Sequence, residues 1–544
     1  MLLALALLAQ RPKLDYRYVY IQTNLLVPDN VRQVKALFER AEKAGYNGVV
    51  ITDSKFERLP DVPAGYVQNV REVAAKAAAC HLKLIPVFAN VGWADSLLSH
   101  NPNLVEGQTV RDANFVVHGN EAVLEPDPQA VFKNGSFEAS RGDQALQMGF
   151  QDEPGVKTFI DRRVKHGGDA SLRMTNPEGN CRIEQEIPVT PHRQYHFSVW
   201  AKSEAIDRTF EIKALDGNGQ AMSEQSAGLQ PTQDWRELHL TFNSGESKVA
   251  RLYMGFWGGH RGSVWLDDAK LEEVGLLNVI RRSTCPVVVR GADGSVLAEG
   301  KDYTPISDPK MGNVPWPGAF EVFHPAPSIK VLPGSRIHEG DHVKVSFDHA
   351  VVLADGKVSI CLSDPATDEV ISKVASELEK LFHPAGFFLG HDEIRSGGSD
   401  DTCLASRKIY GELLGTNARR CVQTAQKAHR GAETYVWSDM FDPFHNAVPH
   451  YYLVRSSVER SWEGLPKDTI IMNWNSGRAR ESLEFFAKRG HRQMLAGFYD
   501  ADVSQIKTWL AQAQGLQGVC GVMYTTWRGD YSKLEEFARA AWGG

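Results

Sequence analysis

The feature that most constrains this chain is a strand–helix alternation that starts, breaks off and starts again. Residues 18–22 form an apolar run of strand length. Residues 30–43 then carry Val31, Val34, Leu37, Phe38 and Ala41 at helical spacing, and Gly45 follows where a helix C-cap belongs. Residues 48–51 and 82–88 repeat the strand pattern on either side of an alanine-rich helical stretch at 67–79. The alternation resumes at Asp364, with strand patterns at 387–390, 434–437, 469–474, 494–498 and 521–525, each separated by a helical segment. Strands alternating with helices build parallel sheets through βαβ crossovers. Three early strands and five late ones make eight, the number that closes a (β/α)8 TIM barrel. The expected fold class is α/β, a TIM barrel interrupted after strand three.

The interruption has its own grammar. From 131 to 274 no helical period occurs, only short alternating runs such as 195–200, 237–242 and 251–256, as in a β-sandwich. Asn134-Gly135-Ser136-Phe137-Glu138 opens this stretch and Ser263-Val264-Trp265-Leu266-Asp267-Asp268 nearly closes it. These bracketing runs resemble jelly-roll carbohydrate-binding modules, and a purely structural β-domain fits the pattern as well. Residues 277–350 read as a further small β-rich insert, dense in Gly and Pro. The expected division is 1–130 and 357–544 for the barrel, 131–275 for the sandwich and 276–356 for the small insert.

Composition narrows the partners. A net charge of −7 without a long basic run argues against nucleic acid and anionic membranes. Seven scattered cysteines, never in CxxC spacing, argue against a disulfide framework and a zinc site, and neither metal nor cofactor is expected. Twelve Trp and fifteen Tyr suit a ligand that stacks on aromatic rings, as sugars do. The opening residues MLLALALLA resemble the end of a secretory h-region without a basic n-region, which makes a secreted or periplasmic location the expectation.

Chemistry in such barrels sits at the carboxyl ends of the strands. There the chain places Gly390-His391-Asp392-Glu393, Trp437-Ser438-Asp439, Asn473-Trp474-Asn475, Tyr499-Asp500 and Thr525-Thr526-Trp527. Carboxylates and tryptophans at successive strand ends converge on one pocket. Glycoside hydrolysis needs an acid to protonate the leaving oxygen and a nucleophile at the anomeric carbon. Neighbouring residues on a strand point to opposite sides, so Asp392 and Glu393 do not fit the usual carboxylate pair. They do fit substrate-assisted catalysis, in which the sugar's own acetamido oxygen attacks. A capping or salt-bridged surface pair is the alternative for Asp392-Glu393, and barrel packing is the alternative for each tryptophan.

Residues 362–365 (Leu-Ser-Asp-Pro) through the strand ending Gly390-His391-Asp392-Glu393 resemble family-20 β-N-acetylhexosaminidases. Trp437 with Asp439, Tyr499 with Asp500, and the 521–527 segment continue the resemblance in order. It implies a retaining hydrolase that removes β-linked N-acetylhexosamine (GlcNAc or GalNAc) from an oligosaccharide or glycoconjugate. Glu393 would be the acid/base and Asp392 would hold the acetamido nitrogen. Tyr499 would hold the acetamido oxygen, and Trp437, Trp474 and Trp527 would wall the sugar. His391, Asp439 and Asp500 are further binding candidates. The chain departs from the family at His391, where a glycine is usual, and over residues 19–26, where Gln22 and Asn24 stand and the family's strand-one arginine has no counterpart. It departs again at Arg528 in place of a glutamate, and in the adjacency of Tyr499 and Asp500. These departures leave the sugar's stereochemistry open.

Asp53, Asn90 and Trp93 fit either the pocket or loop caps, while His445 and Asn446 fit a rim over the site. Two other readings stand beside the main one. A glycosidase for sugars without an acetamido group would take Asp439 or Asp500 as nucleophile, and a catalytically inert glycan-binding protein would rely on the sandwich.

Overall fold

The computed structural model describes residues 12–175, 178–353 and 356–543; the signal-like residues 1–9 lie outside them. The chain divides into two compact units. One holds the described residues up to 101, with 359–398 and those from 406 onward; the other holds 102–358 and 399–405.

The first unit is built on eight parallel strands: β1 (Tyr16–Gln22), β2 (Gly48–Thr52), β3 (Lys83–Phe88), β4 (Gly386–Leu389), β5 (Glu433–Trp437), β6 (Ile470–Asn473), β7 (Gln493–Leu495) and β8 (Val519–Tyr524). Each pairs with its neighbour in that order, and β8 pairs back with β1, so the barrel is closed. Val87 of β3 lies opposite Phe388 of β4, so the chain leaves the barrel after β3 and rejoins it at β4. Its longer helices are α1 (Pro28–Lys43), α2 (Ala64–Ala79), α3 (Pro365–Phe382), α4 (Tyr410–Ala428), α5 (Ala479–Lys488), α6 (Gln505–Gln512) and α7 (Leu534–Trp542).

Local signals explain these elements. Pro28 begins α1, where its missing N–H is no loss, and the helix buries Val31, Val34, Leu37, Phe38 and Ala41. Asp364 caps α3 by accepting from the Ala366 amide at 2.9 Å. One connection departs from the expectation of a helix between successive late strands. Residues 438–469 contain only the 3-10 turns Asp439–Phe441 and Ser461–Gly464 and the two-residue strand Leu453–Val454. Pro443, Pro449 and Pro466 punctuate the stretch, and proline interrupts a helix interior.

The barrel interior is filled by Tyr18, Tyr20, Val50, Ile85, Val87, Phe388, Tyr435, Trp437, Met472, Met494 and Met523. Gly48 is required here, because a Cβ would fall 2.2 Å from the Tyr18 ring. At the amino end, Tyr16 and Arg492 both bond Glu433, while the Tyr435 hydroxyl donates to Glu433 at 2.9 Å. That end is a polar plug.

The second unit contains two five-stranded sheets around one apolar core that includes Phe197, Ile212, Leu240, Leu252 and Leu266. A further five-stranded sheet joins Val288–Gly291, His342–Ala350, Gly107–His118, Glu121–Leu124 and Ile329–Lys330. Residues 107–124, read from sequence as part of the first barrel segment, belong to this sheet because Gly107–His118 pairs antiparallel with His342–Ala350. All seven cysteines are free. No helix among the described residues is long and apolar enough to cross a membrane.

Candidate active site

The strand ends of the first unit gather an aromatic cluster around a residue that the motif reading passed over. Tyr20, near the end of β1, is 6% exposed. Its ring lies 5.6 Å from Trp437 of β5 and 5.3 Å from Trp527 after β8. Trp437 is also 5.0 Å from Phe388 of β4 and 6.1 Å from Trp527. Burial pushes the Tyr20 phenol well up, and the nearby Asp392 carboxylate adds to the rise. The signal was in the sequence: Tyr16, Tyr18 and Tyr20 share one face of β1 at the strand period of two.

Glu393 follows β4 with its backbone in the left-handed region at φ 45°. Such a conformation costs a non-glycine residue roughly 1–3 kcal/mol and persists only where its surroundings impose it. Here Asp439 does so, accepting the Glu393 amide at 2.9 Å. The same buried carboxylate accepts Asn446 Nδ2 at 2.9 Å and the Trp474 indole N–H at 3.3 Å. Its carboxyl is raised by burial, against those donors and the nearby His445. His445 in turn lies 4.4 Å from the Trp474 ring. Asp439 is therefore a brace behind the site, with its oxygens committed to protein donors. The Glu393 side chain is about one-third exposed, 3.5 Å from Arg395 Nη2.

Three sequence-derived assignments change. Tyr499 does not reach the cluster: it is wholly buried, its ring 4.8 Å from Phe537 of α7 and stacked near Tyr524. It points away from the barrel axis because Met494 and Ala496 occupy the inward face of that strand and its extension. His391 likewise turns outward, with Nε2 2.9 Å from Asn417 Oδ1 on α4. Burial lowers its imidazole to about 4, so it stays neutral. Asp500 does not face ligand freely; it accepts from the Thr526 hydroxyl and from the Trp527 amide at 2.8 Å. It fixes the turn that carries Trp527.

The weaker candidates also separate. Asp53 is a loop cap, accepting from the Leu25 and Lys55 amides at 2.7 and 3.1 Å. The Asn90 amide donates to the buried Glu57 at 2.9 Å, and Trp93 stands 45% exposed. Asn446 and His445 join the cluster through Asp439 and Trp474. Besides Tyr20, the motif reading also missed Arg395, Tyr451 and Tyr452. The Tyr451 phenol is raised by burial first and then by the Asp439 and Glu393 charges.

In the second unit, the outward face of one sandwich sheet carries Tyr253 between Glu184 and Lys213 across neighbouring strands. Phe150 pairs with Glu184 on the far side, and the Trp257 ring lies 6.4 Å from Tyr253. Lys213 sits 4.1 Å over Trp257, and Arg251 sits 5.5 Å over Tyr253.

Residues 129–268 match the family described as a carbohydrate binding domain. A curated relative, exochitinase 1 of Streptomyces olivaceoviridis, is 27% identical over 140 residues, which is 26% of this chain and 21% of that protein. The match thus spans about one-fifth of the relative's length. Among solved structures, one titled "CBM4 structure and function" is 18% identical with a TM-score of 0.21, covering 26% of this chain and 99% of that one. The CBM22-1 xylan-binding domain of Paenibacillus barcinonensis Xyn10C is 18% identical with a TM-score of 0.21, covering 27% and 96%. The family match falls on the sandwich region of the second unit.

Proposed function

We propose that the first unit is a (β/α)8 glycoside hydrolase that removes β-linked N-acetylhexosamine by substrate-assisted catalysis, and that the sandwich holds the glycan. What supports this reading is the Tyr20–Trp437–Trp527 cluster at the carboxyl ends of the strands, with the Asp392 charge felt by the Tyr20 phenol and Glu393 held just after β4 by Asp439.

In this reading the sugar lies against Trp527 and Trp437. Glu393 protonates the glycosidic oxygen as the acetamido oxygen closes on the anomeric carbon. Asp392 accepts from the acetamido N–H and balances the charge growing there. The aromatic wall holds the acetamido oxygen in an attacking pose, which replaces an intermolecular encounter by an oriented one. Water then opens the cyclic intermediate, giving its proton to the Glu393 carboxylate, and net retention follows. In this reading Tyr20, whose ring lies between Trp437 and Trp527, takes the role that the resemblance implied for Tyr499, which packs against α7.

The non-acetamido reading needs a free second carboxylate, and both of its candidates are committed. Asp439 braces Glu393 and Asp500 holds the Trp527 turn. The binding-only reading draws on the family match being confined to 129–268.

The deciding experiment is nitrophenol release from paired aryl β-glycosides with and without the 2-acetamido group, with Glu393→Gln as control. Turnover confined to acetamido substrates and lost in the variant is the expected result. Turnover of plain glycosides would discard the acetamido role, and none on either would favour a binding protein.

A further inference from the structure

The helix-free connection between β5 and β6 reaches back to the segment that follows Glu393. Leu453–Val454 pairs in parallel with Ser396–Gly397. The Leu453 amide donates to the Arg395 carbonyl and the Arg455 amide to the Gly397 carbonyl, both at 2.9 Å. This zipper sets the Arg395 guanidinium 4.8 Å over the Tyr452 ring while its Nη2 stays 3.5 Å from Glu393. Tyr452 is 44% exposed, although it is a large ring held at the site. Its neighbour Tyr451 is half-buried and braces it edge-on at 4.9 Å. Like Glu393, Tyr452 has a left-handed backbone, at φ 42°. Strain of this kind collects where a side chain must be presented in one direction.

An exposed tyrosine face, stiffened from behind and joined through an arginine to the general acid, suits a sugar ring. Tyrosine offers apolar area with little entropy to lose, and a guanidinium supplies fixed donors for hydroxyl oxygens. The acid's partner is the leaving oxygen, so what stands beside Glu393 on this side is the leaving group. We propose that Tyr452 and Arg395 form a subsite for the sugar on the leaving-group side, so that the substrate is a glycan with at least one further sugar beyond the scissile bond. The assignment rests on the glycosidase reading above for the word "leaving" and on the loop geometry for the subsite itself.

Two measurements separate the two claims. In the first, kcat/KM is compared for an N-acetylhexosaminyl fluoride, which has no leaving sugar, and for the β-1,4-linked N-acetylglucosamine disaccharide. Tyr452→Ala is expected to lower the disaccharide value at least tenfold more than the fluoride value, and Tyr452→Phe to restore it. Equal losses on both substrates overturn the subsite. In the second, the full chain carrying Glu393→Gln is titrated calorimetrically with N-acetylglucosamine and with the disaccharide, with and without Tyr452→Ala. The disaccharide is expected to bind at least fivefold tighter than the monosaccharide, and Tyr452→Ala to erase that difference. If the wild type turns over neither substrate but this pattern holds, the hydrolase reading fails and the subsite stands. No difference between the two sugars, including no binding of either, overturns the subsite.

Discussion

The amide of Glu393 donates to Asp439 Oδ2 at 2.9 Å, and this single bond ties the proposed acid that follows β4 to the turn that follows β5. Asp439 is fully buried and also receives Asn446 and Trp474. The brace sets a left-handed backbone, a tryptophan wall and a loop all at once. Asp439→Asn would turn an N–H donor toward one of these three donors, at a cost of roughly 1–3 kcal/mol. We expect a stability loss of that size, read by denaturant unfolding, with kcat down by about tenfold or more. Wild-type kcat in a correctly folded variant would remove the bracing role.

Tyr20 and Tyr499 make opposite predictions. Removing the Tyr20 hydroxyl in Tyr20→Phe leaves the ring packing with Trp437 and Trp527 intact but takes away a donor that feels the Asp392 charge. Loss of one such donor typically costs about 10²–10³ in kcat, which sets the upper scale of the expected effect on acetamido substrates. In Tyr499→Phe only a 3.3 Å bond from the Gly497 amide is lost, so kcat/KM should stay within about twofold. The reverse ranking would restore the order read from sequence.

Asp500 is expected to act through Trp527. The Trp527 ring is 49% exposed and its turn is held by Asp500. Asp500→Ala frees the turn, so substrate affinity should weaken, and intrinsic Trp fluorescence should shift as the ring gains solvent. A variant with unchanged KM and spectrum would show that the turn holds itself.

Glu57 gives a pH dependence with a definite sign. Burial pushes its carboxyl up to about 7, against the Asn90 hydrogen bonds that hold it down. A carboxyl raised above its unfolded value favours the fold below the unfolded pKa, and this contribution is lost as pH climbs through the folded value. Wild-type stability should therefore fall between about pH 4.5 and pH 7, by up to about 3 kcal/mol from this group. In Glu57→Gln the drop between pH 5 and pH 8 should shrink by that amount in urea unfolding. An identical drop in both proteins would assign the dependence elsewhere.

On the sandwich, Tyr253 sits at the centre of the outward face between Glu184 and Lys213. Tyr253→Ala in the full chain should weaken retention on insoluble β-glycans, as removal of a stacking platform does. Hydrolysis of a small aryl glycoside by the same variant provides the comparison. Undiminished retention would move glycan binding off this face.

How much of this was legible in advance differs from element to element. The eight barrel strands stand in the sequence because parallel strands alternating with helices leave apolar runs of fixed length between caps and glycines. Trp437 and Trp527 were found by position alone, since a barrel brings its strand ends together. The sandwich announced itself through its bracketing runs, and the family match covers 129–268. Gly107–His118 did not, because its partner His342–Ala350 lies far along the chain and nothing local names it.

What sequence alone determined was the set of strands and the residues at their ends; what tertiary structure decided was which way each residue faces. A half-buried strand reveals its inward face by alternating apolar and polar residues. A barrel strand is covered on both faces, by the interior on one side and by helices on the other, so the alternation disappears. That is why Tyr499 and Tyr20 looked equivalent as letters, yet one packs against Phe537 of α7 and the other against Trp437 and Trp527. The same holds for the brace from Asp439 to Glu393: 46 residues separate them, and the parallel pairing of β4 with β5 brings the amide to the carboxylate.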